Sequence, residues 1–94
     1  MAAPTFEWDA ETVAENVRKH GGAFEEALRV FQDALARIHD DPDHSDEESR
    51  AIITGHSTQN RLLLVSFTER RSRIRIISAR PGTRAERQDY EENA

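Results

Sequence analysis

The chain has 94 residues, 36% of them hydrophobic, with a mean hydropathy of −0.80 and a formal net charge of −5. This predicts one domain spanning 1–94, with a small core drawn from few segments. Cysteine is absent, which excludes disulfides and thiolate metal sites, and no secretory or membrane-length apolar run appears, so a cytoplasmic protein with no membrane partner is expected. The charge is unevenly spread. Residues 1–50 carry 13 acids and 5 bases, residues 51–94 carry 5 acids and 8 bases, and 12 of the 13 bases are Arg. Net acidity argues against a uniformly basic nucleic-acid binder. The Arg-rich half suits an anion and the acidic half a basic partner.

Residues 1–5 are expected to be loose. Phe6-Glu7-Trp8 alternates and predicts a short edge strand, after which Asp9 is a good N-cap. Val13 and Val17 give the first helix a narrow apolar stripe, and Gly21-Gly22 should end it at His20. Phe24, Ala27, Leu28 and Phe31 have the i, i+3, i+4, i+7 spacing of a second amphipathic helix, so a helical hairpin is predicted over 10–32. Leu35 to Ile38 reads as a strand. Asp40 to Glu48 reads as a solvated acidic loop, without the register a calcium loop needs.

Ala51 to Thr54 is the next strand, with Gly55-His56-Ser57 expected to break it. The branched runs Arg61 to Thr68 and Ile74 to Arg80 follow as a hairpin joined through Glu69 to Arg73, with no Asn-Gly or Asp-Gly to fix the turn type. Pro81-Gly82 stops the sheet, and Thr83-Arg84-Ala85-Glu86 is a capping box opening a polar last helix with Ala85 and Tyr90 as its main apolar handles.

The order β-α-α-β-β-β-β-α makes the fold class α+β: a small, largely antiparallel sheet of four or five strands, with the helical hairpin on one face. Leu62 to Val65 is apolar at every position, as in a strand covered on both sides. The last helix reads as too polar to cover the second face. A partner chain on that face or on the sheet edge is therefore expected, the plainer alternatives being a last helix that docks through few contacts or a homodimer.

Arg61 opens the hairpin and Arg80 closes it, so antiparallel pairing puts two guanidiniums near one end, where they can hold a phosphate. His20 titrates near neutral pH and has Lys19 beside it. The plainer reading of His20 is a helix-terminal residue bonded to the last carbonyls, and that of Lys19 a solvated charge. Trp8 reads as a core anchor under the first helix. His56 and His44 are weaker candidates, and His39 reads as a strand-end residue. There is no supported Ser-His-Asp order, Gly-rich phosphate loop or His-Glu-x-x-His. Arg, Lys and His without metal ligands or a cofactor suit metal-free RNA cleavage. A base takes the 2′-OH proton, cations stabilise the phosphorane, and an acid protonates the leaving 5′ oxygen.

Several short motifs together resemble the BrnT-type toxins of bacterial type II toxin–antitoxin systems. They are Phe6-Glu7-Trp8-Asp9 with Asn16 and Lys19-His20-Gly21, then Phe24-Glu25-Glu26-Ala27, then Gly55-x-Ser57. Arg61 to Val65, Thr68-Glu69-Arg70, Ile74 to Arg80, Glu86-Arg87 and Tyr90-Glu91 follow in order. Thr12, Asn60 and Pro81-Gly82 depart from the family pattern. The resemblance implies a RelE-like ribonuclease fold and a metal-independent endoribonuclease that cleaves RNA and inhibits translation. It also implies a DNA-binding BrnA-type antitoxin as partner in a hetero-oligomer. Carried onto matching positions, it implies His20, Lys19, Arg61 and Arg80 as catalytic residues and Trp8 and Arg75 as substrate-binding ones. The alternative is a catalytically weak interaction module acting as co-repressor with the antitoxin.

Overall fold

A computed structural model of the chain describes residues 5–20, 24–40 and 50–92. The element order is β1 (Thr5–Glu7), α1 (Ala10–His20), α2 (Phe24–Val30), β2 (Arg37–Asp40), β3 (Arg50–His56), β4 (Leu62–Arg70), β5 (Arg73–Pro81) and α3 (Arg84–Glu92). This is the predicted order. No helix among the described residues is long and apolar enough to cross a membrane.

The five strands form one mixed sheet in the order β1-β5-β4-β3-β2. The three pairings among β2 to β5 are antiparallel, and β1 adds to β5 in parallel, an edge that the expectation of a largely antiparallel sheet did not specify. The parallel edge follows from chain path: β1 leads into α1, which runs back over β5 on one face. Asp9 caps α1 as expected, its Oδ1 accepting from the Glu11 N–H at 2.9 Å.

The inward side of α1 differs from the expected Val13/Val17 stripe. Val13 joins the core, but Val17 is 44% exposed and Asn16 is buried. Asn16 Oδ1 accepts from the Ala79 N–H at 2.9 Å. β1 pairs with β5 only as far as Arg75, so the Asn16 amide satisfies a backbone donor that the short edge strand leaves behind. Trp8, read as a core anchor, is 43% exposed.

The second helix stops at Val30 rather than near residue 32. Tighter i to i+3 bonds follow, from Gln32 N–H to the Arg29 carbonyl and from Asp33 N–H to the Val30 carbonyl. The second strand starts later than predicted, at Arg37, leaving Leu35 73% exposed ahead of it. Gly55 continues β3 instead of breaking it. A Cβ there would meet Ala36 Cβ at 2.8 Å, so the missing side chain lets the segment after α2 lie directly on the strand. Of the expected acidic loop, Asp40 ends β2; residues 41–48, with His44, lie outside the described residues.

β4 and β5 are joined by Arg71-Ser72, with φ of 49° and 69°. Two central residues with positive φ are the signature of a type I′ turn, here built without Asn or Gly. Between the strands, Ser66 pairs with Ser78 but Phe67 pairs with Ile76, leaving Ile77 as a bulge. The bulge resets alternation so that Ile74, Ile76 and Ala79 share one face. That face, with Ile53, Leu63, Val65 and Phe67, is the buried core under α1 and α2. Phe31 bridges Phe6 and Phe67 with ring centroids 5.1 Å from each.

The opposite face corrects one expectation. The last helix, though polar, docks on this face through buried Tyr90 near Leu64, and the turn at Gly82 lies against Leu62 and Leu64, which are 2% and 9% exposed. Tyr90 Oη donates to the Leu35 carbonyl at 2.8 Å, and the Arg37 guanidinium lies 5.1 Å above the ring centroid. Gly82 N–H donates to the Leu62 carbonyl at 2.9 Å, seating the turn before α3 on the same strand end. Among the described residues the rest of this face carries Arg50, Ser66, Thr68, Arg75 and Ser78 beside Ile52.

Candidate functional site

The sheet register organises the polar face into rows. Arg37, Thr54, Leu64 and Arg80 are aligned across β2, β3, β4 and β5. Two residues along, His39, Ile52, Ser66 and Ser78 form the middle row. Arg50, Thr68, Arg75 and Glu7 form the third. Rows on one face lie about 7 Å apart. A cleft of about 400 Å³ opens between the first row and α3, lined by Arg37, His39, Leu64, Glu86, Asp89 and Tyr90. Another of about 420 Å³ includes Glu7, Arg50, Thr68 and Arg75. Sequence reasoning had singled out Arg75 and Arg80 but not Arg37 or Arg50. The alternation Arg37-Ile38-His39 and Arg73-Ile74-Arg75-Ile76 carried that signal.

Arg61 and Arg80 lie at the same end of the hairpin, as expected, but not around one groove. Arg80 pairs with Leu64, three residues from Arg61, and an odd separation along a strand turns the two side chains to opposite faces. Each guanidinium has its own carboxylate. On the helical side, Arg61 Nε lies 3.3 Å from Glu26 Oε1 on α2. Ser57 Oγ donates to the same oxygen at 2.6 Å. The turn from Ser57 closes through Ser57 N–H to the Arg61 carbonyl at 3.0 Å, with Asn60 at φ 61°.

On the other side Arg80 makes a two-pronged pair with Glu86 of α3, Nη1 to Oε1 and Nη2 to Oε2, both at 2.7 Å. Glu86 also completes the capping box, accepting from the Thr83 N–H at 2.8 Å while its own N–H reaches Thr83 Oγ1 at 3.1 Å. The Arg80 fork, aided by the Thr83 N–H, holds the Glu86 carboxyl down to about 2. The same bond raises Arg80 above its ordinary value. Arg80 therefore anchors α3.

His20 is the last residue of α1, and its side chain lies outside the described residues. α1 runs along β5 with Asn16 beside Ala79, which directs its C-terminal end toward the Arg61 end of the sheet. Lys19 is exposed and pairs with Glu15 at 3.4 Å on the helix surface. His56 is bound into the fold. Its N–H donates to Asp33 Oδ2 at 2.8 Å and its ring meets Tyr90 edge-on at 5.5 Å. That backbone bond, with a second from Leu35 N–H, lowers the Asp33 carboxyl, while burial raises the Tyr90 hydroxyl.

Fold and surface together describe a small α+β domain with one apolar sheet face under two helices and one cationic face. A family model for the ribonuclease toxin BrnT of type II toxin–antitoxin systems matches residues 8–86, and the chain belongs to this family. Among solved structures the fold is similar to the crystal structure of the Brucella abortus ribonuclease toxin BrnT. The TM-score is 0.69 at 19% identity, over 87% of this chain and 100% of that one. Comparison with curated proteins gives no match.

Proposed function

We propose that the chain is the toxin of a type II toxin–antitoxin pair, a metal-independent endoribonuclease whose scissile phosphate binds at the α1–α2 junction. The observation that supports this reading is the placement of Arg61. It stands beside a carboxylate at the sheet end toward which the last turn of α1 points, and the row of Arg37 and Arg80 lies at the same end on the other face. Arg61 grips the phosphate and the charge that develops on it. His20 serves as general acid or base, with Lys19 at the rim. The flanking strand runs onto the polar face, where Arg80 and Arg75 contact further phosphates and exposed Trp8 stacks a base. Contact with Arg80 requires the phosphate to compete with Glu86.

A cognate BrnA-type antitoxin neutralises the toxin in a hetero-oligomer, and free toxin slows translation and growth in the cytoplasm. The pairing of Arg80 with Glu86 favours a second reading, a catalytically weak co-repressor module. The test is purified free chain on single-stranded RNA in excess chelator, with melting curves as control. Cleavage lost in His20→Gln and in Arg61→Ala, in proteins that still fold, is the expected result. Full activity in both variants rejects the proposed site, and no cleavage by the unaltered chain leaves the co-repressor reading.

A further inference from the structure

Glu26 is a buried carboxylate on the helical side of the sheet end. It sits in the first turn of α2, its side chain only 7% exposed, and a carboxylate that far from water is costly unless paired. One of its oxygens accepts from the Ser57 hydroxyl at 2.6 Å and forms an ion pair with Arg61, whose Nε is 3.3 Å away. Ser57 also accepts from the Gln59 N–H at 3.2 Å, so the turn that delivers Arg61 is tied to the same point.

The atom used on Arg61 matters. The closest contact, at Nε, lies on the side of the guanidinium, whereas Glu86 meets Arg80 across the end-on Nη1–Nη2 edge. That edge is the one that meets two phosphate oxygens side by side. Arg61 is 43% exposed, so solvent and an RNA phosphate reach it. Arg80 is the opposite case, with both Nη atoms spent on Glu86. We infer that Glu26 is a positioning residue for RNA cleavage, holding Arg61 from its Nε side while the exposed guanidinium meets the scissile phosphate. The inference rests on the ribonuclease reading proposed above.

A double-mutant cycle tests it. Glu26→Gln should lower kcat about 10-fold or more with little change in KM, since a misaimed cation is felt most in the transition state. In an Arg61→Ala background Glu26→Gln should cost nothing further, because the residue it positions is gone. Equal losses in both backgrounds, following the melting temperature, would mean a purely structural role and overturn the inference. So would full activity of Glu26→Gln.

If Glu26→Gln does not fold, Glu26→Asp draws the carboxylate back by one methylene. It should lose kcat in the same way, and unchanged kcat rejects the idea. The same cycle read by affinity for an oligonucleotide with 2′-deoxyribose at the cleavage position, which binds but cannot react, separates two failures. Absent cleavage by the unaltered chain removes the ribonuclease reading. Additive affinity losses remove the Glu26–Arg61 coupling itself.

Discussion

Two arginines at one end of the β4–β5 hairpin have opposite circumstances. Arg61 faces α2 with its Nε 3.3 Å from a buried carboxylate, and its side chain stays 43% exposed. Arg80 faces α3 and gives both terminal nitrogens to a half-exposed carboxylate that also caps the helix. One arrangement presents a cation, the other consumes it. Placing a cation at the right end of a sheet is therefore not enough to make it available. What matters is which of its nitrogens the fold has already used.

Replacing each arginine by alanine tests this contrast most directly. Arg61→Ala is expected to lower kcat for RNA cleavage about 100-fold or more, the range seen for loss of one charge-stabilising donor. Arg80→Ala should cost roughly tenfold less than that in rate and more in melting temperature, since it releases α3. Equal rate losses would break the contrast.

Asn16→Ala should show the next largest effect, on stability alone. It leaves the buried Ala79 N–H without its acceptor, a loss of about 1–3 kcal/mol in chemical denaturation. An unchanged midpoint would mean that α1 is held on the Arg61 side by packing only.

Glu86→Gln releases the Arg80 fork. RNA binding should tighten several-fold while stability falls by about 1 kcal/mol, small because the pair is partly exposed. Acid titration sharpens this further. Folding depresses the Glu86 carboxyl from 4.5 to about 2, so its contribution is complete above about 4.5 and is lost as pH falls through about 2. Asp33, also lowered, adds a loss of the same sign. The unaltered chain should therefore lose stability between about pH 4.5 and 2 more steeply than Glu86→Gln, and parallel curves would refute the pair.

The smallest effect is expected at the far end of the hairpin. Arg71→Asn with Ser72→Gly suits the positive φ of both positions and should stabilise by about 0.5–1 kcal/mol without altering cleavage. A change in rate would show that the two hairpin ends are coupled.

Much of this molecule is written locally. Asp9 before α1, the Thr83–Glu86 box before α3 and the branched runs of β4 and β5 set the element order, because caps and strand patterns act over a few residues. The end of the sheet that holds Arg61 and Arg80 was equally legible, since a hairpin brings its outer residues together. Their faces were not stated by that argument, although the odd spacing from Arg61 to the partner of Arg80 contained the answer.

Only the tertiary structure decided the rest. The bulge at Ile77 turns Ile74 and Ile76 to the core and Arg75 to the polar face. Asn16 replaces Val17 on the inner side of α1 because the short β1 leaves a backbone donor exposed beside it. Glu26 meets Arg61 across a sequence separation of 35 residues, and no local pattern encodes which carboxylate a folded chain brings to which guanidinium. Local sequence specifies elements through interactions a few residues long, whereas the use of each charge depends on contacts that exist only after those elements have packed.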